Sequence, residues 1–81
     1  MSNATYKIRR LKWRREVGGW FADTSIYCYF VEPFAGRWRF GWFRADDESP
    51  WFEARTLREA KAACQEHFER KLRVFLVRVK Q

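Results

Sequence analysis

No apolar run in this sequence exceeds the six residues 26–31, far short of the roughly 20 that a membrane-crossing helix needs. The residues after Met1 lead into a basic stretch with no apolar segment behind it, so the pattern of a secretory signal is missing. A location in the host cytoplasm and no membrane partner are expected. Cysteine is scarce. Cys28 and Cys64 allow one bridge at most, too little for a disulfide-built domain, and both thiols are expected to be reduced. Proline occurs twice and glycine four times, and neither returns after Pro50.

Chemistry-bearing patterns are equally thin. Ser2, Ser25 and Ser49 lie in loops or tails with no base to activate them, and Gly18-Gly19 has no strand-to-helix setting for a phosphate loop. Cys64 and the single histidine, His67, are three residues apart, with Cys28 a conceivable third ligand. Zinc sites use four protein ligands, or three plus water, in recognisable pairs. Asp46-Asp47-Glu48 lacks the spaced oxygens of a calcium loop and reads as a solvated acidic loop, or as an internal counter-ion over basic residues. A non-enzymatic protein is expected, with no catalytic residues, no metal and no cofactor.

What the chain does have is aromatic mass and arginine. Sixteen of its 81 residues are aromatic, five of them Trp. A domain this small buries only about 60–65% of its unfolded-chain surface, and each buried aromatic removes roughly 150–250 Å² from water. A few large side chains can therefore build one core without staples. Net charge is +7, and arginine supplies twelve of the seventeen cations. Its planar fork grips phosphate or carboxylate in two-pronged fashion and stacks on rings. Lys7, Arg9, Arg10, Lys12, Arg14 and Arg15 all precede the first acid, Glu16. Such a cluster favours a polyanionic partner, or else serves solubility.

Turn signals cut the first half into strand-sized pieces at 11–15, 20–24, 26–31 and 37–43, with residues 32–36 as a five-residue hairpin connection. The most informative piece is Arg37-Trp38-Arg39-Phe40-Gly41-Trp42-Phe43. As a strand it sends Trp38, Phe40 and Trp42 to one face and Arg37, Arg39 and Gly41 to the other, with nothing acidic beside the guanidinium groups along the strand. The parity of the first strand is ambiguous, because Tyr6 and Ile8 are even while Leu11 and Trp13 are odd; a bulge or a disordered start accounts for either.

After Pro50 the apolar spacing changes to three and four. Thr56-Leu57-Arg58-Glu59 is a capping box, in which Thr56 accepts from the amide of Glu59 and the Glu59 carboxylate reaches back to the amide of Thr56. Leu57, Ala60, Cys64, Phe68, Leu72, Phe75 and Val79 then follow one helical stripe. Glu66 with Arg70, and Glu69 with Arg73, have the favourable order for pairs four apart. The β-branched Val74, Val77 and Val79 leave the end open to a short strand.

The reading is one α+β domain over residues 1–81: a flexible basic start at 1–10, a three- to four-stranded antiparallel sheet at 11–43, a loop at 44–55 and a long C-terminal helix at 56–79. The helix covers the tryptophan face of the sheet. The other face stays open and carries Arg37 and Arg39, joined by Tyr27 and Tyr29 and, on a neighbouring strand, by Lys12 and Arg14. These six residues form the candidate site: cations for phosphates, tyrosines for stacking.

The segment Phe52-Glu53-Ala54-Arg55-Thr56-Leu57-Arg58-Glu59-Ala60-Lys61-Ala62-Ala63-Cys64-Gln65-Glu66-His67-Phe68 resembles the closing part of small uncharacterised phage and prophage proteins. Those proteins have a Trp-rich, Gly-punctuated first half and a threonine-capped, alanine-rich last helix. The likeness runs from about Leu11 to Leu72 and implies a phage-type accessory protein of α+β form. More distantly, the order of strands, Gly-aromatic hairpin and capped helix is similar to the arm-type DNA-binding domain of tyrosine integrases and to the plant ethylene-response DNA-binding domain. That resemblance implies a sheet laid in the major groove, with Arg37, Trp38 and Arg39 on its last strand. The expected function is a non-enzymatic binding protein that engages nucleic acid or a host nucleoprotein complex. The competing expectations are an anti-host inhibitor of anti-CRISPR type acting by protein contacts, and a homodimer sealing Trp13, Trp20 and Trp51.

Overall fold

The computed structural model describes the backbone of residues 9–44 and 50–80, and side chains as far as residue 73. Most of the expected basic start, and the acidic loop at 46–48, lie outside the described residues. Among the described residues, five strands form one antiparallel meander in chain order, followed by one helix. The strands are β1 Arg14–Glu16, β2 Gly19–Asp23, β3 Cys28–Phe34, β4 Arg37–Phe43 and β5 Trp51–Ala54, and the helix α1 is Leu57–Lys80. The α+β class and the packing of the helix on one sheet face follow the sequence reading; the strand count does not.

The additional strand is β5, in the stretch expected to be a loop. It pairs with β4 from Trp38 opposite Ala54 to Gly41 opposite Trp51. Four residues after Pro50 give a weak local signal, and their extended form is fixed by a partner about a dozen positions away. The first hairpin strand is also shorter than expected. Regular pairing begins at Arg14, while Leu11 packs into the core without being in a strand. The connection between β3 and β4 shrinks from five residues to two, because β3 runs on through Pro33 and Phe34. Ala35 and Gly36 make the turn with φ of 52° and 78°, the doubly left-handed geometry that suits the twist of a hairpin. Pro33 is tolerated because it lies beyond Val31, which pairs with Trp20 on β2, so β3 is edge-like there.

Register decides which residues share a face. Ala22 lies opposite Tyr29, Tyr29 opposite Trp42, and Val31 opposite Phe40. This face, with Trp20, Trp38, Phe52 and Ala54, meets Leu57, Ala60, Cys64 and Phe68 of the helix. Tyr29, Val31 and Cys64 are fully buried there. The helix starts where expected: the Glu59 amide donates to Thr56 Oγ1 at 3.0 Å. The reciprocal bond goes one residue further back, from the Arg55 amide to Glu59 Oε1 at 3.2 Å. Helical backbone continues to Lys80, so the β-branched end does not become a strand.

Candidate functional site

The six residues proposed from sequence do not share one surface. Arg37 and Arg39 point away from the helix, as parity requires, but Tyr27 and Tyr29 point toward it. Tyr29 has no exposed surface, and its hydroxyl is 2.9 Å from His67 Nδ1. Tyr27 packs edge-on to the His67 ring at 5.1 Å and against the core. Neither stands on the open face with the arginines. The reason is register: Tyr29 opposes Ala22 and Trp42, so odd positions of β3 belong to the helix side.

The arginines of the open face are not free either. Arg39 donates from Nε and Nη2 to Glu32 Oε2, directly across the β3–β4 ladder. Its guanidinium lies 4.7 Å from the Phe34 ring and 5.1 Å from that of Trp51. Arg37 Nη1 is 3.7 Å from Glu53 Oε1. Arg14 joins Glu16 and also Asp23, the latter at 2.7 Å. The Asp23 carboxyl is held below its ordinary value by a hydrogen bond from Cys28 and by Arg14. Three guanidinium groups thus meet four carboxylates, Glu16, Asp23, Glu32 and Glu53, which leaves no excess positive charge among the described residues of these pairs. The acids that do this are invisible along β4 itself and arrive from β1, β2, β3 and β5.

Positive charge without a described carboxylate partner lies at another place, where the N-terminal segment meets the helix. Gln65 ties the two together: its Oε1 accepts from the Leu11 amide at 2.8 Å, and its Nε2 donates to the Arg9 carbonyl at 3.2 Å. Leu11 is thereby buried, while Arg9, Arg10 and Lys12 remain exposed. They line a groove of about 270 Å³ together with the turn Asp23, Thr24, Ser25 and Ile26, over an apolar floor of Leu11, Phe68 and Leu72. The turn is locked by Thr24, whose Oγ1 accepts from the amides of Ile26 and Tyr27 at 3.2 and 2.9 Å.

One helical turn before Gln65, Lys61 Nζ sits 3.6 Å from the Trp20 ring centre and 5.7 Å from that of Trp13. Arg15 approaches the same Trp20 ring at 5.6 Å. A basic band therefore follows one edge of the molecule: Arg15 and Lys61 on Trp20, then Lys12, Arg10 and Arg9 around the groove. Of the six expected site residues, only Lys12 belongs to it. Lys61 and Gln65 are four apart, beside the apolar stripe, and that spacing is the sequence signal which could have marked this flank.

The conceivable metal set is divided by the sheet. Cys64 and His67 lie on the helix side, and Cys28, an even position of β3 paired with Asp23 and Phe43, faces the other way. Burial pushes the Cys64 thiol up to about 12. No helix among the described residues is long and apolar enough to cross a membrane. Comparison with protein-family models, with curated proteins and with solved structures found no match.

Proposed function

We propose that this chain is a non-catalytic, phage-type small binding protein that engages nucleic acid or a nucleoprotein complex through its basic edge, not through the open sheet face. One observation carries the reading: Arg9, Arg10 and Lys12 ring a groove and form no ion pair with a described carboxylate; Asp23 in its wall is held by Arg14, and Glu69 nearby accepts from Gln65 Nε2. A phosphate backbone supplies the missing negative charge, and its binding releases counterions. Arg9 and Arg10 offer two-pronged contacts, Lys12 a point charge. The carbonyl of Arg9 and the amide of Leu11 are fixed to Gln65, so the cations are presented by ordered backbone.

Binding to labelled duplex and single-stranded oligonucleotides tests this at low salt. Micromolar or tighter affinity is expected at about 50 mM salt. Replacing Arg9, Arg10 and Lys12 together by Ala is expected to weaken it severely. Unchanged affinity in that triple variant would remove the basic edge as the site. No binding by the wild-type chain would transfer the reading to an inhibitor that acts through protein contacts.

A further inference from the structure

The open sheet face carries large apolar side chains among its ion pairs. Its register sets Arg14, Phe21, Phe30, Gly41 and Trp51 in one cross-strand row. Beside that row stand Cys28 and Phe43 on one flank, and Glu32, Arg39 and Glu53 on the other, with Phe34 beyond. Phe34, Phe43 and Trp51 are 39%, 42% and 47% exposed, large apolar side chains spread over one surface. Nothing among the described residues packs on this face, because the helix takes the opposite one. Gly41 keeps the centre of the row flat: the Phe30 ring fills the place of its side chain, and a Cβ there would lie 3.0 Å from that ring.

We infer that this face docks on a second copy of the chain, giving two sheets packed face to face with the helices outside. The charge pattern selects the occupant. Among the described residues a polyanion finds no surplus of cations here, whereas a face with Arg14, Arg37 and Arg39 set among Glu16, Asp23, Glu32 and Glu53 is complementary to itself. In a two-fold contact a cation that meets an acid of the second copy is matched by the reciprocal pair, so each such contact occurs twice. Arg39 is already held by Glu32 between two aromatic rings, so it needs little further ordering on association.

The size of the face sets the strength. Strands spaced about 4.8 Å apart and rising about 3.4 Å per residue give roughly 400–600 Å² per copy over these five strands. The pair then buries roughly 800–1,200 Å², at the small end of specific interfaces, which suits a reversible dimer. Packing about 10 Å apart would turn the exposed Phe43 and Trp51, with the partly buried Phe21 and Phe30, into a second core. A chain of 81 residues with seven buried hydrophobic residues among those described gains much from that. The basic edge stays outside the contact, so dimerisation and nucleic-acid binding are separable.

Sedimentation equilibrium of the full chain from about 1 to 300 µM tests the inference, with a dissociation constant in the micromolar range expected. Phe43→Lys and Trp51→Lys each place a cation into the contact and are expected to weaken it at least about tenfold. Arg58→Glu, on an exposed helical position, should leave it unchanged. Hydroxyl-radical footprinting of the wild-type chain needs no variant: oxidation of Phe43 and Trp51 should fall as concentration rises through the transition. A monomer across the whole range overturns the inference and leaves the face to a partner of other sequence. A dimer whose footprint spares those two residues, or that tolerates both lysines while folded, overturns it equally.

Discussion

His67 lies flat against Trp42, with ring centres 3.8 Å apart, and its Nδ1 meets the Tyr29 hydroxyl. The ring is buried under the sheet, and burial, with Lys71 and Arg70 nearby, lowers its pKa from 6.5 to about 4. The folded chain therefore keeps His67 neutral where the unfolded chain would take a proton. Below about pH 6.5 the unfolded state binds more protons, so stability falls as pH drops and the loss is complete near pH 4. The shift corresponds to at most about 3 kcal/mol. Thermal melts across that window should show the decline, and His67→Phe should flatten it, at the cost of leaving the Tyr29 hydroxyl unpaired. A slope of equal size in that variant would assign the effect to other groups. Gly19 offers a second test at this scale. A Cβ there would lie 2.4 Å from the Val31 carbonyl oxygen, a backbone atom that cannot swing aside. Gly19→Ala is expected to destabilise the fold by about 2 kcal/mol in chemical denaturation; a neutral result would mean that β2 and β3 separate there at little cost.

Among the elements, the helix and the β4 strand are the most legible in the sequence, because each carries its own periodicity. The capping box marks where α1 begins, and Thr56→Ala should cost about 1 kcal/mol by removing the bond to the Glu59 amide. The β3–β4 turn is less legible. Pro33 reads as a breaker, and nothing local says that β3 has only one neighbour at that point. Ala35 takes a left-handed conformation at φ of 52°, unfavourable for a residue with a Cβ. Ala35→Gly should therefore raise the melting temperature, gaining about 0.5–1 kcal/mol; a lower melting temperature would contradict the turn geometry. β5 is hidden for a related reason: four residues after a proline become a strand only when β4 lies alongside.

On the scale of the whole molecule, the same contrast governs the candidate site. Alternation in β4 places Arg37 and Arg39 correctly on the open face, but their charge is decided by Glu32 and Glu53, acids brought in by neighbouring strands. Sequence alone puts Tyr27 and Tyr29 on the wrong face, because strand parity is relative until the pairing register is known. The basic edge joins residues 9–12 to Gln65, some fifty positions apart, and no local pattern reveals such a contact. Net charge is legible from composition; where its unpaired part sits is a property of the fold.

The most direct test of that charge map is the salt dependence of oligonucleotide binding by three proteins: wild type, Arg9→Ala/Arg10→Ala/Lys12→Ala and Arg37→Ala/Arg39→Ala. Removing one cation from a phosphate lowers the slope of log affinity against log salt by about 0.9. The first variant should therefore flatten the slope by roughly two to three units, and the second should leave it close to wild type. A flattened slope in the Arg37 and Arg39 variant, with the N-terminal one unaffected, would contradict the account and return recognition to the sheet face.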